Sequence, residues 1–480
     1  MMWRALLSLY YPSFSSTVVY MLQSCEYRTV PYLKWLWKVR DFSGVQHRKK
    51  LDNTAYARML LLFVRLGIVM EIVIGVLVII LGSIFGLPGA WAFGLAIIVP
   101  YPLVWSHLVV VPLELGRIYY IEPKQKKQVN ASETIFANHP AIKIAVAGSY
   151  GKTTMKEVLK TVLSQGLDVV ATEANHNVAI EHAKLAKRLK GNEDVLIIEY
   201  GEGAPGDVER FSSVTHPTHG VITGIAPAHL DRYKTVDAAA LDIFSLGEYL
   251  KGKNVYVNSE SESAKKYLQP SYNTYGLKGI GSWKVSDLNI DISGTSFTLS
   301  KGKEVLRLTS GLLGRHNVGT LVLGAVIAKE LGLTNDQIVA GIKLTTPFEH
   351  RMQPYQLAGA WIIDDTYNGN IEGIRAGTSL LAELKAKRKI YVTPGLVDQG
   401  EETNKVHLKM GELIAGCQPD MVVLMKNLVT DFINQGLKAA NFNGQLRIES
   451  DPLSFYHNLD QFVASGDLVL MQNDWPDNYL

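Results

Sequence analysis

Ala145-Val-Ala-Gly148-Ser149-Tyr150-Gly151-Lys152-Thr153-Thr154 holds the residue types of a phosphate cradle. Gly148 and Gly151 can take positive φ and let backbone N–H groups close on an anion. Lys152 brings a full charge to the β- and γ-phosphates, and the Thr153 hydroxyl can ligate Mg²⁺. Ser149, Tyr150 and Thr154 complete the loop. A helix expected from Thr153 to Leu163 adds partial positive charge at its N-terminus. The chemistry implied is binding of a nucleotide's phosphates together with Mg²⁺. A glycine turn before an ordinary helix is the bland alternative. It is disfavoured because Gly-Lys-Thr falls where a β-branched strand pattern, Ile142 to Ala147, hands over to a helical one. The longer nucleotide loop has a Gly five residues before the Gly of Gly-Lys. Here that position is Val146, so the loop is a shorter type.

Carboxylates and cations downstream could complete such a site. Glu199 ends a strand predicted over 195–200, and ligands of open α/β sheets sit at that edge. It can reach a Mg²⁺ held by ATP phosphates and Thr153. His229 follows the next strand, 220–225, and could ligate a second metal or touch the transferred phosphate; alone, a hydrogen-bonded loop histidine is the better reading. Asp364 and Asp365 end another strand in a segment dense in turn formers, and a plain strand-end turn is the alternative there. Arg351 lies just past a hinge-like Thr345-Thr346-Pro347, where domain closure would bring a cation to the phosphates.

The elements that must position these residues follow from pattern and composition. With 480 residues there is room for about three domains. The net charge of +3 argues against nucleic acid, and two distant cysteines, Cys25 and Cys417, fit a reducing compartment without a disulfide framework. Strands alternate with helices from Lys143, as in an α/β domain with a parallel sheet over 141–347. A meander is predicted over 283–308 and a helix over 320–331. From Trp361 a second α/β pattern begins, with strands at 361–366, 389–393, 420–425, 445–449 and 467–472. Helices are expected at 371–386, 405–416, 428–440 and 452–464. This is a doubly wound C-terminal domain, 348–480. It lacks Gly-x-Gly-x-x-Gly after its first strand, which argues against a dinucleotide.

The first part of the chain differs. Hydrophobic residues at 47% against 19% charged lean toward membrane content. Residues 1–58 read as a basic juxtamembrane segment. Its apolar start to Leu22, interrupted by Pro12 and serines, suits an interfacial helix better than a weak signal-like segment or a re-entrant piece. Lys34, Lys38, Arg40, Arg48, Lys49, Lys50 and Arg58 build a basic stretch around Trp35 and Trp37, with a solvated loop as the alternative for Arg40 to Asn53. Within 59–115, Leu66 to Leu87 is 22 residues with one charge, Glu71. As a helix it spans roughly 33 Å, enough for a hydrocarbon core of about 30 Å. Ala90 to Leu113 reads as a second span after a Gly-Pro-Gly turn, giving a transmembrane hairpin. A soluble core pair is the alternative. Arg117, Lys124, Lys126 and Lys127 after it, and the basic stretch before, place both ends in the cytoplasm. The expected location is therefore the cell membrane, multi-pass, with the catalytic domains cytoplasmic. Glu71 can pair with His107 or lie near the cytoplasmic end, the second being favoured. Residues 116–140 are polar without periodicity and read as a linker.

Taken together, these motifs resemble the Mur ligase family, ATP-dependent amide ligases of peptidoglycan precursor synthesis. Gly148-Ser-Tyr-Gly-Lys-Thr-Thr154-Met-Lys-Glu157 and Glu199-Tyr-Gly-Glu-Gly-Ala-Pro-Gly206-Asp resemble the D-alanyl-D-alanine-adding (MurF-type) members. Ala228-His-Leu-Asp231, Gly314-Arg-His-Asn317, Glu349-His-Arg351-Met and Asp364-Asp-Thr-Tyr-Asn-Gly-Asn370 resemble further family segments. The match runs from about 141 to 425. It implies a central P-loop ATPase domain, a Rossmann-like C-terminal domain, and an acyl-phosphate mechanism. By this resemblance Lys152 and Thr153 handle phosphate and Mg²⁺, Glu199 holds the first Mg²⁺ and His229 helps with the second. Asn317 contacts adenine, and Arg351 and Asp365 complete the nucleotide site. Substrates are an amino-acid or dipeptide donor and a cell-wall precursor acceptor, with membrane lipid and cell-wall synthesis proteins as partners.

Three departures stand out. The carbamylated lysine the family carries about fourteen residues after the His is Ile243 here, and no Lys lies between Thr235 and Leu250. The membrane hairpin stands where the family has its UDP-binding domain. The chain ends in Gln472-Asn-Asp-Trp-Pro-Asp-Asn-Tyr479 rather than Lys-Gly-Ser-Arg. The resemblance therefore admits three readings: a membrane-anchored MurF-like ligase, a Mur-like ligase on another cell-wall or poly-amino-acid substrate, and a catalytically weak scaffold.

Overall fold

The computed structural model describes residues 8–39, 42, 51–174, 176–227, 230–367, 369–397 and 399–473. The chain divides into two compact units, one within the first 127 residues and one beginning at Gln128.

The first unit is helical. Thr54 accepts a hydrogen bond from the Ala57 N–H and so caps the 30-residue helix Ala55–Ile84. Gly89, left-handed at φ 79°, turns the chain into the helix Ala90–Ile98. The two helices meet at glycines. A Cβ on Gly75 would lie 2.8 Å from the Gly94 carbonyl oxygen, and one on Gly94 2.5 Å from that of Gly75. The second apolar run is not one helix. Pro100 lacks an N–H and crowds the turn before it, and the run breaks into Ala90–Ile98, Tyr101–Leu108 and Val110–Gly116. Among the described residues, Ala55–Ile84 is the one helix long and apolar enough to cross a membrane. Ala90–Ile98 with Tyr101–Asn138 passes the same test only as a pair bent by 44°.

The expected interfacial helix is instead packed inward. In Phe14–Ser24, Val18, Val19, Met21 and Leu22 are wholly buried in a cluster with Leu60, Val64, Trp105 and Leu113. Glu71 accepts from Trp105 Nε1, whereas His107 accepts from Trp37 Nε1 at 3.1 Å. Arg40 and Arg48 to Lys50 lie outside the described residues. The stretch read as a linker is helical, as Arg117–Ile121 and Glu122–Asn138.

The second unit holds two mixed sheets. The first contains β1 (Ile142–Ala147), β2 (Val169–Ala171), β3 (Val195–Glu199), β4 (His219–Ile222), β5 (Val255–Asn258) and β6 (Asn273–Gly276). A meander follows: β7 (Gly279–Ile280), β8 (Trp283–Asp291), β9 (Gly294–Lys301) and β10 (Glu304–Ser310). The order is β10-β9-β8-β7-β6-β5-β4-β1-β3-β2, parallel from β2 to β6 and antiparallel beyond. β1 is central, and its strand residues Ile144 to Ala147 are fully buried because helices cover both faces. β4 stops at Ile222, short of the predicted Ile225. Thr223 turns its hydroxyl to the carbonyls of Ala147 and Tyr150, so the chain serves the phosphate loop rather than the ladder.

The second sheet contains β11 (Gln353–Leu357), β12 (Ala360–Asp365), β13 (Arg388–Thr393), β14 (Met421–Met425), β15 (Gln445–Glu449) and β16 (Asp467–Gln472). Its order is β11-β12-β16-β13-β14-β15, parallel except for β11. Helices Ile371–Glu383, Thr403–Gly416 and Thr430–Ala439 connect it. The helix predicted over 452–464 is interrupted at Asn458, giving Pro452–His457 and Leu459–Phe462.

Candidate functional site

At the C-terminal end of β1 the chain turns sharply into the helix Lys152–Leu163. Gly148 at φ 142° and Gly151 at φ 74° make that turn. A Cβ on Gly148 would fall 2.3 Å from Thr223 Oγ1, so only glycine fits. Ser149 N–H donates to the Gly224 carbonyl at 2.8 Å, while its buried hydroxyl oxygen has no partner.

Lys152 and Thr153 leave the first turn of this helix toward the end of β3. Thr153 Oγ1 donates to Glu199 Oε1 at 3.2 Å, and Asn177 Nδ2 donates to the same oxygen at 3.3 Å. Glu199 Oε2 is buried and accepts no hydrogen bond; the Lys156 ammonium, itself fully buried, lies 3.3 Å away. A buried carboxylate oxygen that is ion-paired but not hydrogen-bonded, beside a threonine hydroxyl, fits a hard divalent cation such as Mg²⁺. Among the described residues no group of three or more His, Cys, Asp or Glu could hold a metal. A cation here needs phosphate oxygens or waters for its remaining ligands, as Mg²⁺ with a nucleotide has.

Lys152 Nζ donates to the Gly148 carbonyl at 2.5 Å and to Glu202 Oε2 at 2.6 Å. Behind Glu199, the buried His182 donates from Nε2 to the Glu199 carbonyl at 2.9 Å. Burial pushes this imidazole down to about 4, so it is neutral at pH 7.

A cavity of about 440 Å³ opens on the other side of the loop. Tyr150, Gly151, Thr154, Asn317, Arg351 and Asp365 all line it. The buried Asn317 donates from Nδ2 to the Leu313 carbonyl at 2.7 Å. Arg351 stacks on Tyr367, its guanidinium carbon 4.2 Å from the ring centroid. Asp365 accepts from Gln472 Nε2 at 2.7 Å and from the Met352 N–H at 3.2 Å. Desolvation outweighs those bonds and pushes its carboxyl up to about 7.

The residues singled out from the sequence thus form two groups. At the helix start Thr153 bonds Glu199 and Lys152 pairs with Glu202, and Tyr150, Gly151, Thr154, Asn317, Arg351 and Asp365 share the cavity. His229 lies outside the described residues. Ile243 is wholly buried among Leu246, Ala240 and Val255, with no open space for a charged group. Sequence reading missed Asn177, Lys156, Glu202 and Tyr367. Lys156, Glu202 and Tyr367 sit inside the motifs quoted above, but nothing in their spacing marks a partner.

Residues 146–328 match the model of the Mur ligase middle domain. The chain is 27% identical over 298 residues to the UDP-N-acetylmuramoyl-tripeptide–D-alanyl-D-alanine ligase of Escherichia coli K12, covering 59% of this chain and 64% of that protein. It is 28% identical over 337 residues to the ligase of the same name from Synechocystis, covering 68% and 71%. The structure of MurF ligase from Thermotoga maritima in complex with ADP superposes with a TM-score of 0.63 at 20% identity, over 73% of this chain and 80% of that one. The chain therefore spans about two thirds of the length of these curated relatives, and the shared fold covers both sheets of the second unit.

Proposed function

We propose that this chain, which carries a Mur ligase middle domain over residues 146–328, is an ATP-dependent amide-forming ligase of cell-wall precursor synthesis. A substrate carboxylate attacks the γ-phosphate of ATP, ADP leaves and an acyl phosphate forms; an amine then displaces phosphate, loses a proton and leaves an amide. The observation that carries this reading is that one helix start sets Lys152 against Glu202 and Thr153 against Glu199, two carboxylates from the end of β3 and the loop after it. Two anions must approach each other in the first step, so positive charge has to be preorganised there. Lys152 and the backbone N–H groups after Gly148 supply it. Thr153 and Glu199 would hold a Mg²⁺, whose contribution is to neutralise phosphate charge. Arg351 brings a further cation to the cavity, and Asn317 presents an amide where a base can be read.

The acceptor and donor named for the relatives, UDP-N-acetylmuramoyl-tripeptide and D-alanyl-D-alanine, are the first pair to try. Phosphate release and the mass of the amide product, measured with and without donor, give the result. Lys152→Ala should lower turnover about a hundredfold or more. Equal phosphate release by the variant and the parent would sink the catalytic reading and leave a scaffold.

We further propose that the reaction takes place at a membrane. Leu66, Val69, Met70, Val73 and Ile84 leave an apolar band of Ala55–Ile84 exposed, which is the surface lipid covers. Turnover on lipid-linked precursor should exceed turnover on the UDP-linked one; equal rates would count against a lipid-linked acceptor.

A further inference from the structure

We propose that Glu202 is the binding site for the ammonium group of the amine donor, an inference that rests on the ligase reading. Glu202 follows β3 in the loop Tyr200 to Gly206 and is almost wholly buried, its side chain 3% exposed. A buried carboxylate needs a cation or several donors. What it holds now is a primary ammonium, that of Lys152, at 2.6 Å. The present occupant shows the chemistry the carboxylate selects.

The loop that carries Glu202 is fixed along its length. Gly201 N–H donates to the Asn177 carbonyl at 2.8 Å, and Arg232 donates to the Gly203 carbonyl at 2.8 Å. Tyr233 donates to the Ala204 carbonyl at 3.0 Å, and Gly206 N–H donates to Asp242 at 2.9 Å. Four bonds on a seven-residue loop hold the carboxylate in place, while its partner sits on a four-carbon stem and is held at the ammonium by Glu202 and the Gly148 carbonyl.

Phosphate is the stronger competitor for Lys152, since the γ-phosphate carries more charge than a carboxylate. As the lysine turns to it, Glu202 is left buried without its cation, within the reach of the same lysine that holds the phosphate. The carbon that becomes the acyl phosphate is bonded to an oxygen of that same phosphate. An ammonium arriving at Glu202 passes one proton to that carboxylate, and the amine so formed stands next to the carbon it must attack. As the C–N bond forms the C–O bond to phosphate breaks, and the second proton leaves with the phosphate. Glu202 thus selects amines and places them; the bond-forming step needs no co-reactant beyond those of the ligase reaction.

The test is partition of the acyl phosphate between D-alanyl-D-alanine and hydroxylamine, which is uncharged at neutral pH and needs no ammonium site. With the full chain, MgATP and UDP-N-acetylmuramoyl-tripeptide, the ratio of amide to hydroxamate should fall at least tenfold in Glu202→Gln. The donor KM should rise with it, and Glu202→Asp should recover part of the loss. Retained MgADP binding by Glu202→Gln shows that the variant is folded. An unchanged ratio, with both products reduced together, overturns the proposal and leaves Glu202 as a residue that only positions Lys152. A parent protein that yields neither amide nor hydroxamate removes the ligase reading itself, a distinct failure.

Discussion

Asp365 shows how a single side chain couples the site to pH. Its carboxyl is pushed up to about 7 from an ordinary value of 3.8 by loss of water, although Gln472, Met352 N–H and Arg351 oppose the shift. Between those two values the native chain keeps a proton that the unfolded chain has lost. Stability therefore falls as pH rises from about 4 to 7 and is flat above. Asp365→Asn should abolish that decline while leaving the rest of the profile, as read from denaturant midpoints across the range. A decline of equal slope in the variant would assign it to other groups. Arg351, the neighbouring cation, is flanked by His350 at φ 60° and Met352 at φ 47°, both non-glycine residues in the left-handed region. Such backbone costs about 1–3 kcal/mol per residue and survives where the surroundings impose it. Here those surroundings include the His350 ring bonded to Asp364 at 2.8 Å and the Met352 N–H bonded to Asp365.

Among the elements, the parallel strands and their following helices were legible because each carries its own period. Ile142–Ala147 and Asp467–Gln472 begin and end as the pattern predicts, since buried strands between turn formers leave little choice of register, and the exposed edge strand Gln445–Glu449 does so too. The phosphate loop was legible too, because glycine, lysine and hydroxyl have separate jobs at fixed spacing. What the pattern could not reveal was set by contacts distant in sequence. Nothing near Glu202 announces that Lys152, fifty positions earlier, will reach it. The polar run after Gly116 formed a helix because Val129 and Phe136 find a core to fill. The loss of the lysine at position 243 belongs to this scale as well. That position faces the inside of the helix Val236–Tyr249, against Leu246 and Val255. Ile243→Lys should therefore cost roughly 3–5 kcal/mol, as an unpaired buried charge does, and should not raise activity. A stable, faster variant in thermal melts and phosphate-release assays would show that the helix can turn that face to the nucleotide.

At the scale of the molecule, the two units have their own cores. Leu22, Leu60 and Leu113 close one, while both sheets of the other are filled by separate clusters. A chain beginning at Glu122 keeps Val129 and Phe136 and should remain monodisperse without detergent and bind MgADP with full-chain affinity. Aggregation of that fragment in light scattering, with no nucleotide bound, would show that the first unit is needed for the second to fold.

The central place of β1 has a consequence for biosynthesis. It is the first strand of its sheet to leave the ribosome, yet its neighbours are residues 195–199 on one side and 219–222 on the other. At about 5–20 residues per second, the wait for the second neighbour is roughly 4–15 seconds. Until residue 199 emerges an apolar strand stands in the nascent chain with both edges open, and until residue 222 emerges one edge stays open, after the long apolar helix has already emerged. Chaperones that shield such edges during translation are therefore part of what this topology demands of its host.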